Sequence, residues 1–118
     1  MRRKPGSLIP LELAICDAAV GLRRRGTTEF HGYLLAKTLK TESDRKLLTA
    51  YGTLYRALGR LEEMGILESR WEDPHVAAAE SRPGRRLYTL TAAADELIAD
   101  ARKAARDTAP ARKKLAPA

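Results

Sequence analysis

The stretch from Tyr51 to Trp71 constrains the fold most, because its hydrophobic pattern changes there from the period of a helix to that of a strand. In the first half, the apolar side chains share one narrow helical face: Leu54, Ala57, Leu58 and Leu61. Gly65 then suits a helix end, since glycine adopts left-handed backbone angles without steric cost. Apolar and polar residues alternate after it. We therefore predict a helix that leads directly into a β-strand.

A second run with strand character covers residues 86 to 90. Between the two runs, residues 73 to 84 hold Pro74, Pro83 and Gly84, which interrupt regular structure. We interpret this segment as a loop and the two runs as a two-stranded hairpin.

The first helix is predicted to begin at Pro10, because proline suits the first helical turn. One apolar stripe follows at helical spacing: Leu11, Ile15, Ala18 and Leu22. A second stripe, Leu13, Cys16 and Val20, lies on the opposite side. A helix that is apolar on two sides needs two partners. We expect the rest of the domain to cover one side and a second subunit the other.

The remaining helices follow from the same periodicity. Residues 30 to 40 form the second predicted helix, polar residues 41 to 44 interrupt it, and residues 49 to 64 form the third. The final helix begins at Thr91, a good N-cap, and runs to about residue 107. Its apolar face is rich in alanine: Ala94, Leu97, Ile98, Ala101 and Ala105. The pattern predicts a helix-turn-helix, a hairpin and one further helix.

Composition limits the classes of protein that remain. A chain of 118 residues with 44% hydrophobic content fits one small domain. It has no apolar run near the roughly 18 residues of a membrane span and no apolar signal core, so we expect a cytoplasmic protein without a membrane partner. Cys16 is the only cysteine, which excludes an internal disulfide and indicates a small buried hydrophobe. The net charge of +7 favours a polyanionic partner such as nucleic acid.

No set of residues points to catalysis or to a metal. His31, His75 and Cys16 lack the spacing of metal ligands, and no acid pair or Ser-His-Asp set is apparent. We therefore expect neither an enzyme nor a bound cofactor.

Several motifs taken together resemble the PadR-like transcriptional regulators, over roughly residues 8 to 108. They are the segments at residues 10 to 15, 30 to 33, 51 to 58, 60 to 62, 65 to 71 and 82 to 91. The resemblance implies a mainly α (α+β) fold: a winged helix-turn-helix with three N-terminal helices, a two-stranded β wing and one C-terminal dimerisation helix. That single helix points to the smaller subgroup of the family. The chain would then divide into a basic tail (1–7), a DNA-binding domain (8–90), the dimerisation helix (91–108) and a second basic, flexible tail (109–118).

The resemblance also implies a function. Such proteins are bacterial homodimers that usually repress nearby promoters, and some relatives sense small aromatic or drug-like molecules. The expected partners are therefore double-stranded DNA, a second copy of this chain and possible small-molecule effectors. Dimer geometry and wing shape are left open by three departures from the family pattern: three alanines at 92 to 94, the additional Gly84, and the longer connection at residues 23 to 26.

The N-terminal end of the third helix is the part expected to enter the major groove, because a helix fits that groove and its first residues reach base edges. The candidates there are Thr49, Tyr51, Thr53, Tyr55, Arg56 and Arg60. Arg56 would bind guanine or, alternatively, a phosphate, whereas the two tyrosines and Arg60 suit phosphates. In the wing, Arg82, Arg85 and Arg86 would approach the DNA backbone or minor groove. Trp71 and His31 are interpreted as packing residues.

For the homodimer, the expected interface residues come from the first and last helices: Leu13, Val20, Leu97, Ile98, Ala101 and Ala105. Three functional hypotheses stay open at this point. The chain would be a DNA-binding repressor on a pseudo-palindromic operator, a repressor released by a small molecule, or a winged-helix protein that mainly binds another protein.

Overall fold

The computed structural model describes residues 7–42 and 51–108, which contain five helices and three strands. In chain order they are α1 (Pro10–Arg24), β1 (Phe30–His31), α2 (Gly32–Glu42), α3 (Tyr51–Glu63), β2 (Leu67–Trp71), α4 (Pro74–Ala79), β3 (Arg86–Leu90) and α5 (Ala94–Thr108). The fold is therefore mainly helical with a small antiparallel sheet, which confirms the predicted class. The linker between α2 and α3 lies outside the described residues.

One hydrophobic core joins the helices to the sheet. The predicted stripes of α1 and α3 are buried in it, including Ile15, Leu58 and Leu61, none of which exposes any surface. Cys16 is also buried, and desolvation raises the pKa of its thiol to about 11, so it remains protonated near neutral pH. This agrees with its interpretation as a small hydrophobe. No helix within the described ranges is long and apolar enough to cross a bilayer.

The ends of α1 and α3 are built alike, and each uses a glycine with a positive φ. Gly26 has a φ of 92° and Gly65 a φ of 84°. The amide after each glycine reaches back to a carbonyl five residues earlier: Thr27 N donates to Leu22 O at 2.8 Å and Ile66 N to Leu61 O at 3.0 Å. Both ends are Schellman motifs. At Gly65 this turn fixes the direction in which β2 leaves α3.

The sheet has three strands in the order β1-β3-β2, not two. Phe30 and His31, predicted as the start of the second helix, instead pair with Tyr88 and Leu87 of β3. The Phe30 ring also stacks on Tyr88, with 6.3 Å between centroids. These two residues gain both a backbone partner and an aromatic contact in the extended conformation, and α2 begins only at Gly32.

The segment between β2 and β3 was predicted as a loop, but it contains the short helix α4. Asp73 caps it by accepting a hydrogen bond from the amide of His75 at 2.8 Å. Pro74 occupies the first turn, and three alanines follow. Because proline is tolerated at the first position and alanine is the best helix former, the two prolines of the segment do not prevent this turn.

The last helix begins at Ala94, not at the predicted Thr91. The Thr91 hydroxyl does not cap the helix; it donates a hydrogen bond to the carbonyl of Gly65 at 2.6 Å. Two ion pairs then hold α5 against α1, Arg23 with Asp95 and Arg102 with Asp17. Helix α5 therefore packs on the same core as the sheet and does not stand apart from it.

Candidate nucleic-acid interface

The exposed face of α3 is the first part of the candidate site. Leu54, Leu58 and Leu61 anchor the helix in the core, which turns Thr53 and Arg56 toward solvent. Among the described residues, Arg56 has no ion-pair partner. A cation and a hydroxyl on one helical turn suit contacts to base edges or phosphates.

Arg60, one turn after Arg56, is held differently. Its Nε lies 3.5 Å from the carboxylate of Glu12, whose side chain is only 2% exposed. The same carboxylate accepts a hydrogen bond from the amide of Ile9 at 3.0 Å, so it also caps α1. Arg60 is thus tied to α1, and only part of its charge is available for the predicted phosphate contact.

Arg82 is bound inside the wing. Its guanidinium donates two hydrogen bonds of 2.7 Å to Glu72 and one of 2.8 Å to Glu80, and its side chain is 17% exposed. These bonds, with a backbone hydrogen bond from Arg85, lower the pKa of Glu72 to about 2 and raise that of Arg82. Two carboxylates accept from its donors in this arrangement, and the contact of Arg82 with DNA stays a prediction.

Arg85 and Arg86 differ from Arg82 because no carboxylate within residues 7–42 and 51–108 forms an ion pair with either guanidinium. Arg86 lies over the ring of Trp71, with 5.2 Å from its guanidinium carbon to the centroid, and donates to the Ser69 hydroxyl at 3.0 Å. Arg85 lies 3.1 Å from the Nε2 atom of His31. The charges of both guanidinium groups are therefore not neutralised by any carboxylate in the described part of the chain.

A groove of about 440 Å³ opens between the wing and the helices α2 and α3. We call it the wing groove, and its lining includes His31, Tyr33, Tyr55, Trp71, Arg85 and Arg86. Tyr33 and Trp71 are 60% and 65% exposed, so the interpretation of Trp71 as a packing residue was wrong. The Tyr55 ring packs closely on Gly32. A Cβ at position 32 would lie 2.3 Å from the Tyr55 hydroxyl.

The structure therefore divides the predicted DNA contacts into two groups. Thr53, Arg56 and Arg60 line a groove of about 530 Å³ between α1 and α3, and Tyr55, Arg82, Arg85 and Arg86 line the wing groove. Among the described residues, Arg60 and Arg82 are the two of these arginines that are bound by carboxylates. Thr49 and the side chain of Tyr51 lie outside the described part of the chain. The sequence analysis did not identify Tyr33 and His31 as site residues. The Phe-His-Gly-Tyr motif at residues 30 to 33 is the feature that could have indicated them.

The predicted dimer residues also differ in exposure. Ile98 and Ala101 are buried by their own chain, 5% and 2% exposed, and so offer little surface to a second subunit. Leu13, Val20 and Leu97 are half-buried, and Ala105 is exposed. A partner would therefore meet the outer edge of α1 and the outer side of α5.

In the described part of the chain, no group of three or more His, Cys, Asp or Glu residues is placed to hold a metal ion.

Solved structures resemble this chain over most of its length. A transcriptional regulator from Clostridium thermocellum superimposes with a TM-score of 0.66 at 18% identity, covering 91% of this chain and 90% of that one. A PadR family regulator from Eggerthella lenta gives 0.60 at 25% identity, with 89% and 86% covered. PadR from Bacillus subtilis, solved in complex with operator DNA, gives 0.56 at 24% identity and covers 77% of this chain but 45% of that one.

No curated protein sequence matches the chain. The model of the PadR-like family of transcriptional regulators matches residues 23–100, which is more than half of its length and includes α2, α3 and the wing. That family consists of transcription regulators and not of enzymes. The chain therefore belongs to the PadR-like family of transcriptional regulators.

Proposed function

We propose that the protein binds double-stranded DNA sequence-specifically, with the exposed face of α3 in the major groove and the wing on the adjacent backbone. The observation that supports this best is the arrangement of unpaired cations. Arg56, Arg85 and Arg86 have no carboxylate partner among the described residues, and they border the two grooves that flank α3. The operator complex of the Bacillus subtilis protein, which shares the fold, adds support.

The partner surface on α1 and α5 supports the further proposal of a homodimer. Leu13 on α1 is half-buried, and so is Val20, although Val20 also packs against the core of its own chain. Apolar surface that remains exposed in this way is covered in an interface. A two-fold dimer would require a pseudo-palindromic operator with half-sites about 34 to 36 Å apart, or a multiple of that distance.

Membership of the family supports a proposal about the regulatory outcome. We propose that the dimer acts as a repressor in the bacterial cytoplasm and that a small-molecule effector releases it from DNA. The alternative is a winged-helix protein that mainly binds another protein. A neutral protein partner would not require three guanidinium groups that form no ion pair among the described residues, so the cation arrangement favours DNA.

The test is selection of binding sites from a random duplex pool, followed by titration of the enriched duplex against a scrambled one at near-physiological salt. The proposal predicts an inverted repeat bound about a thousandfold more tightly than scrambled DNA, near the lower end of usual specificity ratios. Absence of enrichment, with weak and salt-sensitive binding to every duplex, would contradict it and favour a protein partner.

A further inference from the structure

The ring of His31, where β1 gives way to α2, faces a hydrogen-bond donor at each nitrogen. The Nδ1 atom lies 3.2 Å from the backbone amide of Leu34, and the Nε2 atom lies 3.1 Å from Nη1 of Arg85. A neutral imidazole has one acceptor nitrogen and one N–H group, whereas an amide N–H and a guanidinium can only donate. One of the two contacts must therefore place two donors against each other.

The surroundings of the ring decide which contact is the unsatisfied one. The Leu34 amide lies in the first turn of α2, where helical amides have no partner within the helix, and the backbone fixes its position. The Arg85 side chain, in contrast, borders the open wing groove. The lone pair is therefore used at Nδ1, and Nε2 carries the proton. His31 Nε2–H and the guanidinium of Arg85 are left as adjacent donors without an acceptor between them.

The charges around His31 favour the binding of an anion. Arg85 and Arg82 face it from the wing, Glu72 from the end of β2, Tyr33 from α2 with ring centroids 6.2 Å apart, and Tyr55 from α3 across the groove. Burial and the two cations lower the pKa of His31, and Glu72 opposes them weakly because Arg82 already binds it. At neutral pH the ring is therefore neutral and donates from Nε2.

We propose that His31 and Arg85 together bind one phosphate of the DNA backbone, with a non-bridging oxygen accepting hydrogen bonds from His31 Nε2 and from the Arg85 guanidinium. This inference rests on the proposed DNA-binding function and adds a position to it. Tyr55 lines the same groove, so the bound phosphate lies beside the recognition helix. Such a contact fixes the register of the protein on the duplex and reads no base.

Two substitutions of His31 test its two roles separately: the hydrogen-bond donor at Nε2 and the helix cap at Nδ1. His31→Asn keeps an acceptor near the Leu34 amide, since asparagine is a preferred N-cap, but removes the donor toward the groove. His31→Gln keeps an amide donor near the Nε2 position and loses the cap. Fluorescence anisotropy on the enriched duplex should show about a tenfold loss of affinity for His31→Asn, as for a hydrogen bond to a charged group. His31→Gln should stay within about twofold of the wild type.

The reverse ranking, with unchanged affinity for His31→Asn, would overturn the proposal and leave His31 as a helix cap. The pH profile gives a readout that a cap would not change. A phosphate beside the ring raises its pKa in the complex, so wild-type affinity should increase as the pH falls through the His31 pKa, and neither variant should show this increase. A wild-type profile that matches both variants would also overturn the proposal.

Nitrogen NMR of the histidine rings tests the site even if a variant unfolds. The chain has two histidines, so His75→Asn assigns the His31 signals. We expect the Nε2–H tautomer in the free protein and a shift of its proton when a duplex is added. The Nδ1–H tautomer would overturn the proposal. The tautomer is measured in the free protein, so this test does not require a specific duplex. A titration with inorganic phosphate distinguishes the source of the anion: displacement of the duplex at millimolar phosphate would assign the site to a small anion and not to DNA.

Discussion

The guanidinium of Arg82 donates two hydrogen bonds of 2.7 Å to the carboxylate of Glu72, which connects the end of β2 to the residues that precede β3. The contact closes the segment that contains α4. Arg82 was expected at the DNA backbone, yet its donors are used within the wing. Its neighbour Arg85, three residues later, has no such carboxylate among the residues described.

Because Arg82 is paired with a carboxylate and Arg85 is not, replacing each arginine by alanine should have different effects, although both substitutions remove one positive charge. Arg82→Ala should lower the melting temperature, because it leaves the Glu72 carboxylate, 9% exposed, with the backbone amide of Arg85 in place of the guanidinium donors, while DNA affinity changes by less than about twofold. Arg85→Ala should keep the wild-type melting temperature and reduce the salt slope of DNA binding by about 0.9, the value for one lost phosphate contact. Calorimetry and anisotropy at several salt concentrations measure both effects. A salt slope reduced in Arg82→Ala and unchanged in Arg85→Ala would refute this assignment.

The Glu72 carboxylate also predicts a pH dependence of stability. Its pKa falls from the ordinary 4.5 to about 2 in the folded protein. A carboxyl group with a lowered folded pKa stabilises the fold fully above its unfolded pKa and loses this contribution as the pH falls to the folded value. Compared with Glu72→Gln, the wild type should therefore be more stable above pH 4.5, and the difference should disappear toward pH 2. A difference that stays constant from pH 7 to pH 2 would argue against the ion pair.

A charge on the outer edge of α1 should split the proposed dimer without unfolding the chain. Leu13→Asp places a carboxylate on a half-buried position, whereas Val76→Asp, on the exposed side of α4, introduces the same charge elsewhere. Light scattering should report a monomer for the first variant and a dimer for the second. Ile98→Asp is a poor probe, because this side chain lies in the core and its replacement would unfold the domain. A dimeric Leu13→Asp protein would move the interface to another surface.

The two glycines on α3 should separate stability from DNA binding. A Cβ at Gly52 or at Gly59 would meet no atom within 4 Å outside its chain neighbours and the backbone of its own helix, so alanine fits at either position. Gly59→Ala should stabilise the fold by up to about 1 kcal/mol through helix propensity and leave DNA affinity unchanged. Gly52→Ala, at the end of α3 proposed to enter the groove, should weaken binding several-fold. Equal effects of both substitutions on DNA affinity would contradict entry by the N-terminal end.

Regular hydrophobic patterns predicted the helices α1, α2, α3 and α5 and both strands of the hairpin, β2 and β3. The stripe from Leu54 to Leu61 and the glycine at position 65 predicted α3 and its end correctly, because both depend on neighbouring residues alone. Strand β1 was missed because its two residues become extended only by pairing with Tyr88, which is 58 residues distant from Phe30. Such long-range pairing has no local signal.

The sequence predicted which arginines belong to the candidate site, but not which of them are bound by carboxylates. Sequence identified the arginines at 56, 60, 82, 85 and 86, yet it could not show that Glu12 and Glu72 bind two of them. Glu12 precedes Arg60 by 48 positions, and its burial depends on the packing of α1 on α3. The exposure of Trp71 was likewise hidden, because a strand-end aromatic is equally compatible with packing and with an open groove.

The most direct test of base reading by α3 is the affinity ratio between the enriched and a scrambled duplex, measured for the wild type, Arg56→Ala and Arg70→Ala. Arg70 forms an exposed pair with Glu29, and its replacement removes the same charge outside the proposed interface. We predict that the ratio falls about tenfold in Arg56→Ala, within the discrimination of one bidentate contact to a base, and that Arg70→Ala keeps the wild-type ratio. An unchanged ratio in Arg56→Ala would contradict the account.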